Sequence, residues 1–460
     1  MLLTERDVRL PLYDGITPLL SHFCKCVETQ LVENEIPVRF AVTETSSKDY
    51  NCELDVLRFE GKLNLPKPSS IFEFSQREIE NTKSFNTVMV VPTGIGAEIG
   101  GHAGDAGPAA RLLAGACDTL ITHPNVVNAS DINELPENGL YVEGSVLSRL
   151  LMGTVGLQKV RSNRVLLAIE KHKDTKLEDL CINAASAAKS TLGADCQKVI
   201  KIDPPMHTSA KYSSSGSATG TIEGFENLCR IVLKYKNEFD ALAIASVVEV
   251  PEGFHQEYFH SDGNMVNPWG GIEAILTHGI SMLFDIPAAH APMMETLEIA
   301  DMHVGIVDPR MAAEAVSTCF LHCVLKGLHR SPRIITDRML FTHPEVLTAS
   351  DISCLVIPDG CVGLPTLAAL EQGIPVIAVR ENKNRMKNDL TKLPFGENKL
   401  FIVENYLEAV GIITAIKAGV AISSVKRPLA FTKVITETVE EKQINVGMSK
   451  KSHPLAIDQT

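Results

Sequence analysis

The sequence predicts an α/β protein. Two related, Rossmann-like lobes with parallel sheets face a ligand cleft, and a small N-terminal α+β extension precedes them. Three observations predict this. Short apolar runs of β type alternate with helical stretches from residue 86 onward, the pattern of a parallel sheet covered on both faces. An eleven-residue segment, "THPNVVNASDI" at 122–132, returns as "THPEVLTASDI" at 342–352. Two glycine-bearing loops follow apolar runs, at the strand ends where open α/β sheets bind ligands.

The elements follow in order. Residues 1–85 read as the extension, with strands in "VRFAVTET" (38–45) and "LDVLRFEG" (54–61). The first lobe, 86–230, opens with the strand "TVMVV", the glycine loop, the helix "PAARLLAGA" (108–116) and the strand "DTLIT". Pro108 suits a first helical turn. Strands are then expected at "RVLLAIE" (164–170) and "KVIKID" (198–203), with a helix over 176–190 between them. The second lobe, 231–425, offers "ALAIASVV" (241–248), "GIVD" (305–308), "RIITD" (333–337), "CLVIP" (354–358), "PVIAV" (375–379) and "KLFIV" (399–403), with one helix over 310–328. Residues 426–460 read as a polar tail.

Bulk composition narrows the function classes. Hydrophobic residues make up 45% and charged residues 22%, an ordinary globular balance. A formal net charge of −13 argues against nucleic acid and against an anionic membrane surface as partners. No apolar run reaches the roughly 20 residues a membrane helix needs. The first residues, "MLLTERDVRLPLYDG", carry charge too early for a signal peptide. The 11 cysteines form no CxxC pair. A cytoplasmic chain with reduced thiols is therefore expected, and the alternative is export through the glutamate-rich "TETVEEK" (436–442). No metal site and no cofactor are expected, because neither H-x-x-x-H nor H-E-x-x-H spacing occurs.

The candidate chemistry lies in three places. Six glycines fall between residues 94 and 107, and Gly94, Gly96, Gly100, Gly101 and Gly104 would let the backbone approach an anion. The spacing is neither G-x-G-x-x-G nor a P-loop. His102 and Asp105 sit in the same loop. The repeat supplies His123 with Asp131, and His343 with Asp351. The plain reading of the repeat is two strand-to-helix joints; the functional one brings both histidines to a shared cleft. The third place is "IPDGCVGLPT", where Asp359, Gly360, Gly363 and Thr366 would join the anion site. Cys361 would there meet a helix N-terminus that favours its thiolate. Between the loops, Trp269, the chain's one tryptophan, and Asp308 with Arg310 are further binding candidates; His278 and His290 lie nearby.

The stretches "PTGIGAEIGGHAGDAGPAARLLA", "THPNVVNASDINELPENGLYVEGS" and "VDPRMAAEAVSTCFLHCVLKGLHRSP" resemble an uncharacterised family, the domain of unknown function 3326, across roughly residues 86–425. That resemblance implies no activity. The paired glycine loops, with "GENKLFIVENYLEAVGIITAIKAG", are also similar to two-lobed nucleotide-sugar glycosyltransferases and epimerases. There the resemblance implies a ribose-binding acid, for which Glu371 is available. The "GC" turn at Cys361 resembles the aspartate/glutamate racemase group, although the matching turn "NGLYVEGS" carries no cysteine.

The function expected is an enzyme on a small anionic metabolite, a phosphorylated or nucleotide-linked sugar, of transferase or epimerase type. Histidine 102, 123 or 343 would serve as general acid or base, because histidine titrates nearest neutral pH. The alternatives are a cysteine-dependent isomerase using Cys361, and a non-catalytic protein that binds a small molecule or a partner. A homodimer is compatible with either.

Overall fold

The computed structural model describes residues 1–59 and 63–437. The glutamate-rich 436–442 stretch lies mostly outside the described residues. Strands expected from apolar runs form where the runs are long and continuous. Arg164–Glu170 and Ala241–Val247 pair in parallel, and Asp195–Ile202 and Ala288–Met293 complete a four-stranded parallel sheet. A six-stranded parallel sheet runs Leu400–Val403, Val376–Val379, Ile352–Pro358, Asn86–Met89, Thr119–Thr122, Gly139–Tyr141. Its central strands Ile352–Pro358 and Asn86–Met89 are buried at every position, which is why they read as unbroken apolar runs.

This sheet order departs from the expected division. Asn86–Met89 pairs with Ile352–Pro358, so strands from both expected lobes share one sheet. The four-stranded sheet is built from residues 164–293, which lie between them in sequence. Mixed α/β architecture with two parallel sheets stands; a boundary at residue 230 does not separate them. The residues expected as an N-terminal extension are likewise woven in. Leu2–Pro11 and Asp49–Arg58 lie side by side in an antiparallel six-stranded sheet that also contains His207–Tyr212, Ala218–Glu223 and Val362–Gly363.

The repeat is not a structural duplication. Thr122 ends a buried strand, Thr119–Thr122, and His123 caps the start of the short helix Pro124–Val127. Thr342 instead ends a 3-10 helix, Arg338–Thr342, and His343 caps it. No strand delivers His343 to a cleft, and the residue is exposed. The helix expected over 310–328 is also broken, into a 3-10 turn at Pro309–Met311, a helical turn at Ala312–Ala315 and the helix Leu321–His329. Ser317 Oγ accepts the Cys319 N–H at 3.1 Å, which turns the chain between the last two. The expected strand 305–308 is a bend, with Ile306 fully exposed.

One helix packs against both the antiparallel sheet and the four-stranded parallel sheet. Pro268–Phe284 starts at Asn267, whose side chain accepts from the Trp269 and Gly270 amides at 3.0 and 3.2 Å. It lies so close to the antiparallel sheet that a Cβ on Gly271 would stand 1.9 Å from the Ala218 carbonyl oxygen. The glycine loop meets the same residue. The Ala218 N–H donates to the Gly94 carbonyl at 2.8 Å. Gly94 has φ +78°, and a Cβ there would lie 2.7 Å from the Ala218 oxygen. Gly94→Ala is therefore expected to destabilise the fold by about 2 kcal/mol, from left-handed backbone strain plus displacement of the junction. Urea denaturation measures it; an unchanged midpoint would show that the contact is slack.

Candidate functional site

The C-terminal ends of both parallel sheets open on one cavity of about 220 Å³. From the six-stranded sheet come His123, after Thr119–Thr122, and Glu143, after Gly139–Tyr141. From the four-stranded sheet come His290, within Ala288–Met293, and Glu295 just beyond it. The joining helix Pro268–Phe284 adds Trp269, Glu273, Thr277 and His278. Positions 273 and 277 lie one turn apart and so share a helix face, with His278 alongside.

Glu143 organises one side. It caps the helix Gly144–Leu151, accepting the Ser145 and Val146 amides at 3.0 and 3.3 Å. Its other oxygen accepts from Thr277 Oγ1 at 3.3 Å and pairs with His278 Nδ1. Burial pushes this carboxyl up, but the His278 ring and the helix amides pull harder and hold it below the usual carboxylate range. An ionised Glu143 draws the imidazole proton to Nδ1. His278 Nε2 is thereby left as a lone pair, with no protein partner among the described residues. Gly144 makes room for the ring: a Cβ there would stand 3.0 Å from His278 Cε1.

His123 is held differently. Its Nε2 accepts the Val91 N–H at 3.1 Å, which places its proton on Nδ1. Burial lowers its pKa to about 4, so it is neutral at physiological pH. His290 lies between Ser246 Oγ, 2.8 Å from Nε2, and Glu273 Oε2, 3.0 Å from Nδ1. Ser246 has no exposed surface and does not line the cavity, so it orients His290 and does not act as a nucleophile. His255 stacks on Trp269 with ring centroids 4.8 Å apart.

The far wall belongs to Glu314. Its carboxylate accepts the Ala103 N–H and, at 3.3 Å, Asn267 Nδ2. Burial pushes its pKa up to about 7. His102 also faces the cavity; its Nδ1 lies 2.7 Å from the Tyr258 hydroxyl, and burial lowers its pKa. Five histidines and four glutamates thus surround one space, and among the described residues lining it there is no lysine or arginine. The described residues contain no group of three or more His, Cys, Asp or Glu arranged to hold a metal ion.

The sequence-derived candidates divide accordingly. His102, His123, Gly94, Gly101 and Trp269 line the cavity. Some of the glycine loop's amides are engaged within the protein. Gly100 donates to Asp105, Ile99 to Asn382 Oδ1, each at 2.8 Å, and Ala103 to Glu314. Asp105 is a buried strut, pushed by burial up to about 7. Gly96 and Gly104 serve close packing, against Val266 and Ala129.

The remaining candidates do not line this cavity. Asp308 and Arg310 pair with each other at 3.0 Å, and Arg310 also reaches Glu98. Asp131 offers its carbonyl towards His322 Nδ1. Asp351 caps a turn through the Thr348 amide at 2.7 Å, and Asp359 holds the Gly360 amide at 2.9 Å. Thr366 is buried and donates to the Cys361 carbonyl. Gly363 pairs in the antiparallel sheet. Cys361 is 2% exposed, and burial pushes its thiol well above the ordinary range. The following helix begins only at Leu364, so its N-terminus gives that thiol no help. Glu371 accepts the Leu20 amide at 3.2 Å, at the start of the helix Leu19–Glu28. Glu143 and Glu314 escaped the sequence reading. The strand-end "YVEGS", with its acid one residue before a helix, was the available signal for the first.

These features define an α/β protein with a carboxylate- and histidine-lined cleft at the strand ends of two parallel sheets. Residues 86–426 match the family described as "Protein of unknown function (DUF3326)", and the chain belongs to that family. It is similar to an uncharacterized lipoprotein of Synechococcus sp., 34% identical over 354 residues, which span 76% of this chain and 96% of the relative. No solved structure matches the chain. The relative's name corrects the expected cytoplasmic location: it is a lipoprotein. Among the described residues, no helix is long and apolar enough to cross a membrane.

Glu314 gives the site a measurable pH signature. Its folded pKa of about 7 lies above the ordinary 4.5. The folded chain therefore keeps a proton that the unfolded chain loses between those values. That contribution is complete below pH 4.5 and is lost as pH rises through 7. Glu5, Asp105 and Glu170 are raised in the same way, so the wild-type slope is a sum. Glu314→Gln isolates one group. Between pH 5 and pH 8 its stability is expected to improve relative to wild type by on the order of 2 kcal/mol. Parallel urea curves for the two proteins at both pH values would contradict this.

Proposed function

We propose that this protein is an enzyme that transfers protons to and from a small polar substrate, uncharged or cationic, in the cleft between the two parallel sheets. The observation that carries the reading is the Glu143–His278 pair facing a cavity without lysine or arginine among its described lining residues. A buried carboxylate that fixes an imidazole tautomer leaves the other ring nitrogen as a general base. Glu314, with its pKa near neutrality, can hold a proton at pH 7 and donate it. Trp269 supplies a flat apolar face. Such a set suits an epimerase or isomerase that removes and returns a proton.

The same lining speaks against the phosphorylated or nucleotide-linked sugar expected from the glycine loop. An anion would meet four glutamates and no lysine or arginine among the described lining residues. The buried, protonated Cys361 gives no support to a cysteine-dependent isomerase. The relative's name supports a lipoprotein's setting for this chain too.

A thermal-shift panel of sugars, polyols, amines, amino acids and phosphorylated metabolites tests the substrate class. Stabilisation by uncharged or cationic compounds is expected, and hits confined to phosphorylated compounds would overturn it. On the substrate so found, His278→Gln is expected to lower kcat roughly a hundredfold or more. His343→Ala, on the exposed surface, should leave kcat unchanged.

A further inference from the structure

A second cavity, of about 140 Å³, lies against the first. Thr93, His123, Gly144, Ala274 and His278 stand in the walls of both. Its character is different. Phe40, Ile71, Leu147, Met282, Val362 and Met386 dominate it, contributed by the antiparallel sheet, the segment before Asn86–Met89, the helices Gly144–Leu151 and Pro268–Phe284, and the loop beyond Val376–Val379. The charged groups that reach it are already engaged. Arg39 binds Asp55 at 2.5 Å and Glu53 at 2.9 Å. Glu53 also accepts from Ser213 and Ser215 at 2.7 and 2.6 Å. Arg149 binds Asp285 at 2.6 Å. Polar groups whose hydrogen bonds are filled from within offer nothing to a charged ligand, whereas the apolar wall gains from any hydrocarbon placed against it. The space compares with the roughly 150 Å³ apolar cavities that take up benzene.

We propose that this second cavity receives the hydrocarbon part of the substrate, an aromatic ring or a chain of about six carbons. The reacting polar group then sits at the shared wall beside His123 and His278. The inference rests on the reading of the first cavity as the proton-transfer site, and it makes the substrate amphipathic. It also gives Gly144 a function. Any side chain there would crowd the His278 ring at the junction of the two compartments.

Calorimetric titration of the full chain with n-propylamine through n-hexylamine, and separately with toluene, tests this. The ammonium group suits the carboxylate-lined cavity, and the tail reports the apolar one. Each added methylene is expected to tighten binding about fourfold. Met386→Trp, which fills the second cavity from a loop, is expected to bring the hexylamine-to-propylamine ratio close to one and to abolish toluene binding. Met386→Phe is the milder plug should the tryptophan variant fail to fold. A ratio that survives the plug places the tail elsewhere and overturns the proposal. So does a flat amine series in the wild type with no toluene bound. Toluene binding that the plug removes, with no amine bound at all, upholds the apolar subsite and instead refutes the charge reading of the first cavity.

Discussion

Ala218 is the point on which the rest of the molecule turns. Its amide donates to Gly94, and its carbonyl oxygen lies where any side chain on Gly94 or Gly271 would have to go. Three pieces far apart in sequence meet there: the loop after Asn86–Met89, the antiparallel sheet and the helix Pro268–Phe284. Backbone-to-backbone approach of this kind excludes every residue but glycine, and close packing then transmits the position of each piece to the others. Two further glycines of the 94–107 loop, Gly96 and Gly104, make similarly close approaches, to Val266 and Ala129.

From that junction the helix projects Glu273, Thr277 and His278 into the cleft, and its cap, Asn267, reaches Glu314 on the opposite wall. Burying several carboxylates together is costly unless each is hydrogen-bonded or keeps its proton. Both solutions occur here. Glu143 stays ionised because helix amides, hydroxyls and His278 surround it. Glu314 and Asp105 retain protons near neutral pH because burial outweighs their few donors. An acid and a base kept apart by environment within one cavity are what proton transfer requires.

Much of the secondary structure was legible. Arg164–Glu170 and Ala241–Val247 are long, continuous and bounded by polar residues, so periodicity and length both identify them. Ala288–Met293 was not, because a histidine and a proline interrupt "AAHAPM". His290 is accommodated only because Ser246 and Glu273 satisfy both ring nitrogens from other elements. The break in the 310–328 helix was equally hidden. A run of alanine and glutamate reads as helix, and the turn that Ser317 makes by accepting the Cys319 amide leaves no such trace. The repeat misled for a related reason. Identical residues at 122 and 342 follow a buried strand in one case and an exposed 3-10 turn in the other, and local sequence does not record that difference.

The sequence by itself determined the α/β class and the strands with unbroken apolar runs. These follow from short-range rules: apolar periodicity, proline at strand ends, and glycine where the backbone turns sharply. Tertiary structure alone decided that strands from both halves form a single sheet, that Leu2–Pro11, Glu35–Thr45 and Asp49–Arg58 belong to a shared antiparallel sheet, and that Glu143, Glu273 and Glu314 converge on the same space. Strand order and the charge state of a buried carboxyl depend on partners more than a hundred residues away. They are set by which surfaces pack together and which amides remain free, and neither is written in any local stretch of the chain.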